Sequence, residues 1–384
     1  MHETRSDPVV VFSGGGTGGH LYPALALADA VAELRPDVRP VFVGASRGVE
    51  ARILPQRGDP YVLLPIRGFQ RGKGWENRGV PLALARSVGR VAAAFHRWRP
   101  EAVVVTGGYA GAPAGLMAGL MGIPLVLQEQ NSVPGVTTRL LARWARRVHV
   151  AFPEAVGHLP PPSRPRTYVT GNPVRPAPAL DMAEARERFG LPAEGTVLLI
   201  VGGSQGSLAL NRVMEDTVRK VAKGTLERPG DLHLLWATGP AHFPSVRAHL
   251  EEAGAPAWVR AVPYIHEMPA ALAAADVALS RAGAMATAEL LVSGLPAILV
   301  PLPTAAAGHQ LENARALASA GAAVVLEEAL LSPAALWREV RRLVLDAELR
   351  RKMVAAALKR GDPQAAVKIA EDIVSLLPPP GRTA

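Results

Sequence analysis

Residues 13–20 read SGGGTGGH, set between the apolar run Val9-Val10-Val11-Phe12 and the helix-like stretch LYPALALADAVAEL. Glycine costs backbone entropy, so five in six positions mark a turn that something must approach closely. A glycine turn feeding a helix also leaves bare N–H groups at the positive end of the helix dipole, which suits a phosphate or diphosphate. The pattern of strand, glycine turn and helix recurs at 198–213, LLIVGGSQGSLALNRV. Around both copies, short Val/Leu/Ile runs (PVFVG, AVVV, PLVLQEQ, then LHLLWA, DVALS, PAILV) alternate with helix-like segments. Continuous apolar strands separated by helices describe parallel sheets covered on both faces. The expectation is an α/β protein of two doubly wound, Rossmann-like domains facing a cleft, with ligands at the carboxyl ends of the strands. Between the two series lies the proline-dense LPPPSRPRTYVTGNPVRPAPAL, so the boundary should fall within residues 160 to 180.

Length and composition agree with two domains. The 384 residues exceed what one core supports, and 49% hydrophobic with 20% charged residues is ordinary for a globular chain. With no cysteine there is neither a disulfide framework nor a thiolate metal site. No basic N-terminal segment leads into an apolar stretch of secretory type, which makes a reducing cytoplasm the expectation. No window approaches 18 uncharged apolar residues, so membrane contact should be peripheral. The net charge of +9 favours anionic partners. No helix-turn-helix or RNP-like module accompanies it, and no nucleic-acid partner is expected.

The glycine loops admit rival readings. Gly14, Gly16 and Gly19 satisfy G-x-G-x-x-G, but the second strand ends in Gly44, Ala45 and Ser46, with Glu50 the first carboxylate beyond it, so the acid that holds an NAD ribose is missing. A Walker loop fails because His20, not Lys, follows Gly19. The second loop satisfies G-x-S-x-G, and Ser204, Asp276 and His309 follow in hydrolase order, but two matched halves do not suit a hydrolase. The histidines are scattered without H-x-x-x-H spacing and no Asp-x-Asp occurs, so neither a metal nor another cofactor is expected. His20 at the helix start reads either as a packed imidazole or as a general base, the positive helix end favouring its neutral form. A third cluster, TGGYAGAPAGLMAG from Thr106, follows another apolar strand and suggests a lined anion site on the same sheet edge.

SGGGTGGH, TGGYAGAP, EQN at 129–131, TGNPVR at 170–175, GGSQGS and SRAGAMATAEL at 280–290 occur in one order. In that combination the chain resembles the MurG-type glycosyltransferases of peptidoglycan synthesis. The resemblance implies the GT-B fold and a hexosyltransferase that moves N-acetylglucosamine from its UDP donor to the 4-hydroxyl of lipid I. Transfer would proceed with anomeric inversion and without a metal, giving lipid II for cell-wall biogenesis, cell shape and division. It implies an N-terminal acceptor and membrane-facing domain, 1–168, joined by a C-terminal helix from 364–384, and a donor domain, 169–363. It places the enzyme peripherally on the cytoplasmic face of the bacterial inner membrane, with an anionic membrane surface and other cell-wall synthesis proteins as partners.

For the donor, the resemblance implies Ser204 and Arg175 at the diphosphate and the Ile265 backbone at the uracil. The segment Arg281, Ala284, Met285, Ala286, Thr287, Ala288 and Glu289 follows, with amides near Ala284 to Ala286 on phosphate and the Glu289 carboxylate on the ribose hydroxyls. Gln310 and Asn131 would bind the sugar, with Thr17, Gly18 and Gly19 also at donor-contact positions. Gly14, Gly15, Gly16, Gly107, Gly108 and Tyr109 match the family's proposed acceptor-diphosphate loops. His20 is the first choice for the base that deprotonates the attacking hydroxyl, and Glu129 the alternative. Met285-Ala286 stands where the family commonly has Leu-Thr, and TAAAG replaces a loop that usually holds an acid.

The membrane-facing surface is sought at 82–98. As a helix this stretch puts Leu84, Val88, Val91, Phe95 and Trp98 on one face and Arg86, Arg90 and Arg97 opposite. The apolar face suits the core, while the Arg face, with Arg67, Arg71, Lys73, Trp75 and Arg78 upstream, suits anionic headgroups.

Overall fold

A computed structural model describes residues 7–68, 78–174, 180–305 and 308–380. The chain divides into two compact units, Met1–Arg175 with Pro363–Ala384, and Pro176–Asp362. In the first, β1 (Val9–Ser13), α1 (Gly18–Leu34), β2 (Arg39–Ala45), α2 (Glu50–Arg57), β3 (Tyr61–Leu64), α3 (Val80–Trp98), β4 (Ala102–Val105), α4 (Gly108–Met121), β5 (Leu125–Glu129), α5 (Val136–Leu141), β6 (Arg147–Val150), α6 (Glu154–His158) and β7 (Thr167–Val169) follow in order. In the second come α7 (Met182–Arg188), β8 (Thr196–Val201), α8 (Leu208–Ala222), β9 (Leu232–Ala237), α9 (Phe243–Glu252), β10 (Val259–Val262), α10 (Met268–Ala274), β11 (Val277–Ser280), α11 (Ala284–Val292), β12 (Ala297–Leu299), α12 (His309–Ser319), β13 (Ala323–Val325), α13 (Pro333–Leu345) and α14 (Ala347–Arg360). The last helix, α15 (Ala365–Val374), belongs to the first unit.

Each unit holds one parallel sheet, ordered β3-β2-β1-β4-β5-β6-β7 and β10-β9-β8-β11-β12-β13. The order reverses between β1 and β4 and again between β8 and β11, and the loops leaving those four strands lie at the carboxyl ends where doubly wound folds bind ligands. Strand alternation builds the first core. Val9 and Val11 face one side with Phe95, Trp98 and Ala114. Val10 and Phe12 face the other with Leu21, Leu25, Ile369 and Ile373, so α15 covers the sheet beside α1. Asp372 pins α15 by accepting from His149 Nε2 at 3.0 Å and Arg147 Nε at 3.1 Å. Burial raises the Asp372 carboxyl, but these two bonds win and hold it below its ordinary range. In the second unit Leu198, Ile200, Trp236 and Leu279 pack with Leu210, Met214, Leu336 and Trp337.

Two sequence expectations need correction. The edge strand β3, YVLL, is absent from the apolar runs read off the sequence, because only Leu64 of its four residues is fully buried. The unit boundary lies after residue 175 rather than 168. Thr167–Val169 pairs in parallel with β6 as the seventh strand, and a strand cannot be cut from the sheet that satisfies its backbone.

Candidate active site

In the first unit the loops after β1, β4 and β5 converge on His20. Thr17 caps α1 through its backbone carbonyl, which accepts from His20 N at 3.2 Å and Leu21 N at 3.3 Å. Its exposed side chain makes no capping bond. His20, half-buried in the first turn, places Nδ1 2.8 Å from Gln130 Oε1 and 3.1 Å from the Thr106 carbonyl. The Thr106 hydroxyl donates to the His20 carbonyl at 2.6 Å. Gly107 and Gly108 have φ of +90° and +71°. A Cβ on Gly108 would collide with the His20 ring and the Gly15 backbone, so these glycines seat the imidazole.

The same reasoning narrows the glycine-loop assignment. Space for a Cβ on Gly14 is taken by Thr106, on Gly15 by Glu50 and on Gly16 by Tyr109. The Gly16 N–H donates to Glu50 Oε1, and Glu50 is fully buried, with Oε2 unpartnered among the described residues. Thus Gly14, Gly15 and Gly16 clear the protein's own groups, and one amide expected to be bare is already satisfied. What remains for an anion at this end is Thr17 and the amides of Gly18 and Gly19, which open the helix. Burial, then the neighbouring Glu50 charge, raises the Tyr109 phenol above its ordinary range.

Glu129 is committed elsewhere. Its buried carboxylate accepts from Asn131 N at 3.1 Å, Asn131 Nδ2 at 3.0 Å and Gly135 N at 3.0 Å, closing the turn after β5. Between these two base candidates the geometry favours His20, and it gives the Asn131 amide a structural duty too.

In the second unit Gly203 and Gly206, at φ +91° and +76°, fold the loop after β8, and a Cβ on Gly206 would strike the Thr238 carbonyl. Ser207, not Ser204, caps α8, its hydroxyl accepting from Leu210 N at 3.4 Å. Ser204 is left exposed at the turn. The Ser207 hydroxyl also accepts from Arg281 Nη2 at 2.7 Å. Nη1 of that buried guanidinium bonds the Val300 and Pro301 carbonyls at 3.2 and 3.3 Å, and Nη2 also pairs with Glu328 at 2.5 Å. Arg281 is therefore a brace between loops rather than a free phosphate ligand. Ser207→Ala removes both the cap and one Arg281 partner, and should lower unfolding free energy by about 1–2 kcal/mol, read as a lower urea midpoint.

α11 begins at Ala284 behind Gly283, which has no side chain to cap it, and the amides of Met285 and Ala286 lie in its first turn. The buried Thr287 hydroxyl donates back to the Gly283 and Ala284 carbonyls at 3.1 and 3.0 Å, so it cannot replace the hydroxyl missing at Ala286. Ala288 is buried behind it. Glu289 lies just over one turn in, and burial pushes its carboxyl up to about 7. Ile265 is buried after β10. Gln310 accepts from Leu302 N at 3.0 Å through Oε1, which orients its amide N–H groups away from that loop. Arg175, with Arg71, Lys73 and Trp75, lies outside the described residues.

The hydrolase alternative fails on geometry. Asp276 accepts from Val197 N at 2.7 Å and Arg186 Nη2 at 2.8 Å, at the start of β8, whereas Ser204 follows its end. Among the described residues no three His, Asp or Glu side chains gather as a metal site would need.

Sequence reasoning missed Glu50, Thr106, Gln128 and Gln130 as parts of the site. Gln130 was in view inside EQN, but its partner is 110 residues away.

Comparison with known proteins places this architecture. The glycosyltransferase family 28 N-terminal domain matches residues 10–150 and the glycosyltransferase family 28 C-terminal domain residues 197–371. The UDP-N-acetylglucosamine--N-acetylmuramyl-(pentapeptide) pyrophosphoryl-undecaprenol N-acetylglucosamine transferase of Salinibacter ruber is 42% identical, covering 96% of this chain and 97% of its own length. The protein of that name from Moorella thermoacetica is 40% identical, over 95% of this chain and 98% of its own. The crystal structure of Acinetobacter baumannii MurG superposes with a TM-score of 0.76 at 27% identity, covering 96% of this chain and 99% of that one. The chain belongs to glycosyltransferase family 28, as a MurG-type N-acetylglucosaminyltransferase of the GT-B fold.

Proposed function

We propose that this enzyme transfers N-acetylglucosamine from UDP-N-acetylglucosamine to the 4-hydroxyl of lipid I, with inversion and without a metal ion, forming lipid II. The names of the relatives supply donor and acceptor. The observation that carries the reading is the start of α11, a helix N-terminus whose dipole suits an anion, followed just over one turn later by Glu289. Phosphate on the helix amides and ribose hydroxyls on the carboxylate describe a nucleoside diphosphate. Ser204, the Ala284–Ala286 amides and Arg175 take the diphosphate, the Ile265 backbone the uracil, and Gln310 the sugar. Asn131, Thr17, Gly18 and Gly19 complete the donor contacts, and the loop at Gly107, Gly108 and Tyr109 serves the acceptor diphosphate.

Inversion needs one base and one stabilised leaving group. His20 takes the hydroxyl proton as the new C–O bond forms opposite UDP, and helix N-termini and arginine meet the charge that departs. His20 belongs to the first unit, and Ser204, Ile265, Ala284 to Ala286, Glu289 and Gln310 belong to the second. Incubation with radiolabelled UDP-N-acetylglucosamine and a lipid I analogue in EDTA tests this. Label should move to the lipid; no transfer by folded protein refutes the activity, and transfer abolished by EDTA refutes only its metal independence.

The acceptor's lipid calls for peripheral contact with an anionic membrane, on the cytoplasmic side where nucleotide sugars are made. Among the described residues no helix is long and apolar enough to cross a membrane. On α3, Val91, Phe95 and Trp98 are core residues, so the apolar face read from sequence is mostly spent on folding. Supporting contact instead are exposed Leu82 on α3, Leu120 and Met121 ending α4, and Leu140 and Trp144 at and beyond α5, helices that adjoin in that order. Exposed Arg86, Arg90, Arg139, Arg143 and Arg146 accompany them. Trp144 is 54% exposed, so Trp144→Ser should leave folding intact. It should reduce cosedimentation with phosphatidylglycerol vesicles about tenfold in partition coefficient.

A further inference from the structure

The hydrogen bonds around His20 decide which of its nitrogens can accept a proton. Nδ1 faces two oxygens, the Thr106 carbonyl and Gln130 Oε1. The carbonyl can only accept. The Gln130 amide cannot be turned round to offer a donor instead. Its Nε2 donates to the Thr106 carbonyl at 2.7 Å and the Gln128 carbonyl at 3.0 Å, and also meets Gln128 Oε1. Reversal would set Oε1 against three acceptors. Gln128 is oriented in turn, its Nε2 donating to Asn172 Oδ1 at 3.0 Å, while Asn172 Nδ2 donates to the Gln130 carbonyl at 3.1 Å. Gln128, Gln130 and Thr106 are at most 1% exposed, so water does not supply alternatives.

We propose that Gln130 is a positioning residue that, with the Thr106 carbonyl, locks His20 in the Nδ1–H tautomer and thereby presents Nε2 as the proton acceptor. Among the described residues Nε2 has no hydrogen-bond partner. The inference deepens the proposed function and rests on His20 being the base. In the reaction the acceptor hydroxyl forms its bond to the anomeric carbon and yields its proton to Nε2. The bond from that carbon to the diphosphate breaks, and its electron pair leaves with UDP. The resulting imidazolium keeps donating Nδ1–H to Gln130, so the ring need not turn during the step. An orienting group of this kind is the third member of the nucleophile–base arrangements of hydrolases, here with a neutral amide in the place of a carboxylate. Asn172 in TGNPVR then has a duty that its motif does not advertise, as the far end of the network that orients the base.

The test is a long-range proton–nitrogen NMR spectrum of the full-length protein labelled with 15N-histidine, the His20 signals assigned by their loss in His20→Asn. At a pH where the ring is neutral, Nδ1 should show the shift of a protonated nitrogen and Nε2 that of a bare one. A proton on Nε2 in the native protein overturns the proposal, with no variant required. Gln130→Met keeps the volume and removes one acceptor. It should bring in the Nε2–H tautomer and lower kcat about tenfold, with KM for UDP-N-acetylglucosamine within about twofold. An unchanged tautomer and kcat in that variant would also overturn it. The spectrum does not depend on turnover, so an error in naming His20 as base is exposed separately, by normal turnover of His20→Ala.

Discussion

His20→Ala should lower kcat by about 100- to 10,000-fold while the Kd for UDP-N-acetylglucosamine stays within about twofold. The split follows from where the ring is held. Its bonds run to Thr106 and Gln130 of the first unit, whereas Ile265, Glu289, Ser204 and Ala284 to Ala286, assigned to uracil, ribose and diphosphate, lie in the second. Removing the imidazole therefore deletes a proton acceptor without touching most of the donor contacts. Single-turnover transfer combined with donor titration by calorimetry reads both quantities. Near-normal turnover would remove His20 as base, and Glu129 could not simply inherit the role, since three donors already occupy its carboxylate.

The second large effect is expected at Glu289, where ligand binding and stability should move in opposite directions. A carboxylate that accepts two ribose hydroxyls must be ionised, yet burial holds this one near 7 in the free protein. The UDP-sugar diphosphate is esterified at both ends and does not titrate there, so the Kd of the native enzyme should rise as pH falls below about 7. Glu289→Gln should abolish that limb and weaken donor binding about 10- to 100-fold, the loss of charge-assisted bonds. For stability the sign is reversed. A carboxyl with a folded value above its unfolded 4.5 binds protons preferentially in the folded state. Stability therefore falls as pH rises from about 4.5 to 7, and the full cost persists above 7. A shift of this size amounts to about 3 kcal/mol. Glu289→Gln should recover much of that above pH 7 and nothing near pH 4, as measured by urea unfolding at the two pH values. Equal effects at both would mean that Glu289 is an ordinary exposed acid.

The fold was legible because its strands are buried on both faces. Runs such as VVVF, AVVV and TVLLIV have no polar side to blur them, and the two glycine turns mark where each sheet begins its doubly wound order. YVLL escaped because an edge strand carries exposed residues and loses that signature. The proline-dense stretch brackets the boundary after residue 175, and the division at 168 fell short because the last strand to join the sheet, Thr167–Val169, lies inside that stretch. In the proposed site, Ser204, Ala284 to Ala286, Glu289 and His20 each belong to a turn or to the helix that follows it, a local pattern that a sequence displays. What the motif could not say is what each glycine clears. Glu50, Tyr109 and Thr106 come from other loops of the fold, and only their packing shows that Gly14, Gly15 and Gly16 make room for the chain itself. Arg281 shows the same limit from the other side, since a buried arginine in a phosphate-binding motif reads as a ligand until its four oxygen partners are seen.

SGGGTGGH keeps its place at the centre, with a changed division of labour. Its first three glycines let the loop close around Thr106, Glu50 and Tyr109, and its last residues, from Thr17 to His20, are the ones the proposed reaction uses. The most direct measurement is proton NMR of the disaccharide formed when the protein acts on UDP-α-N-acetylglucosamine and a lipid I analogue. A β linkage to O4 of the muramoyl sugar is expected, since a single displacement by a base-activated hydroxyl inverts the anomeric carbon. An α linkage, a bond to another hydroxyl, or free N-acetylglucosamine as the sole product would contradict it.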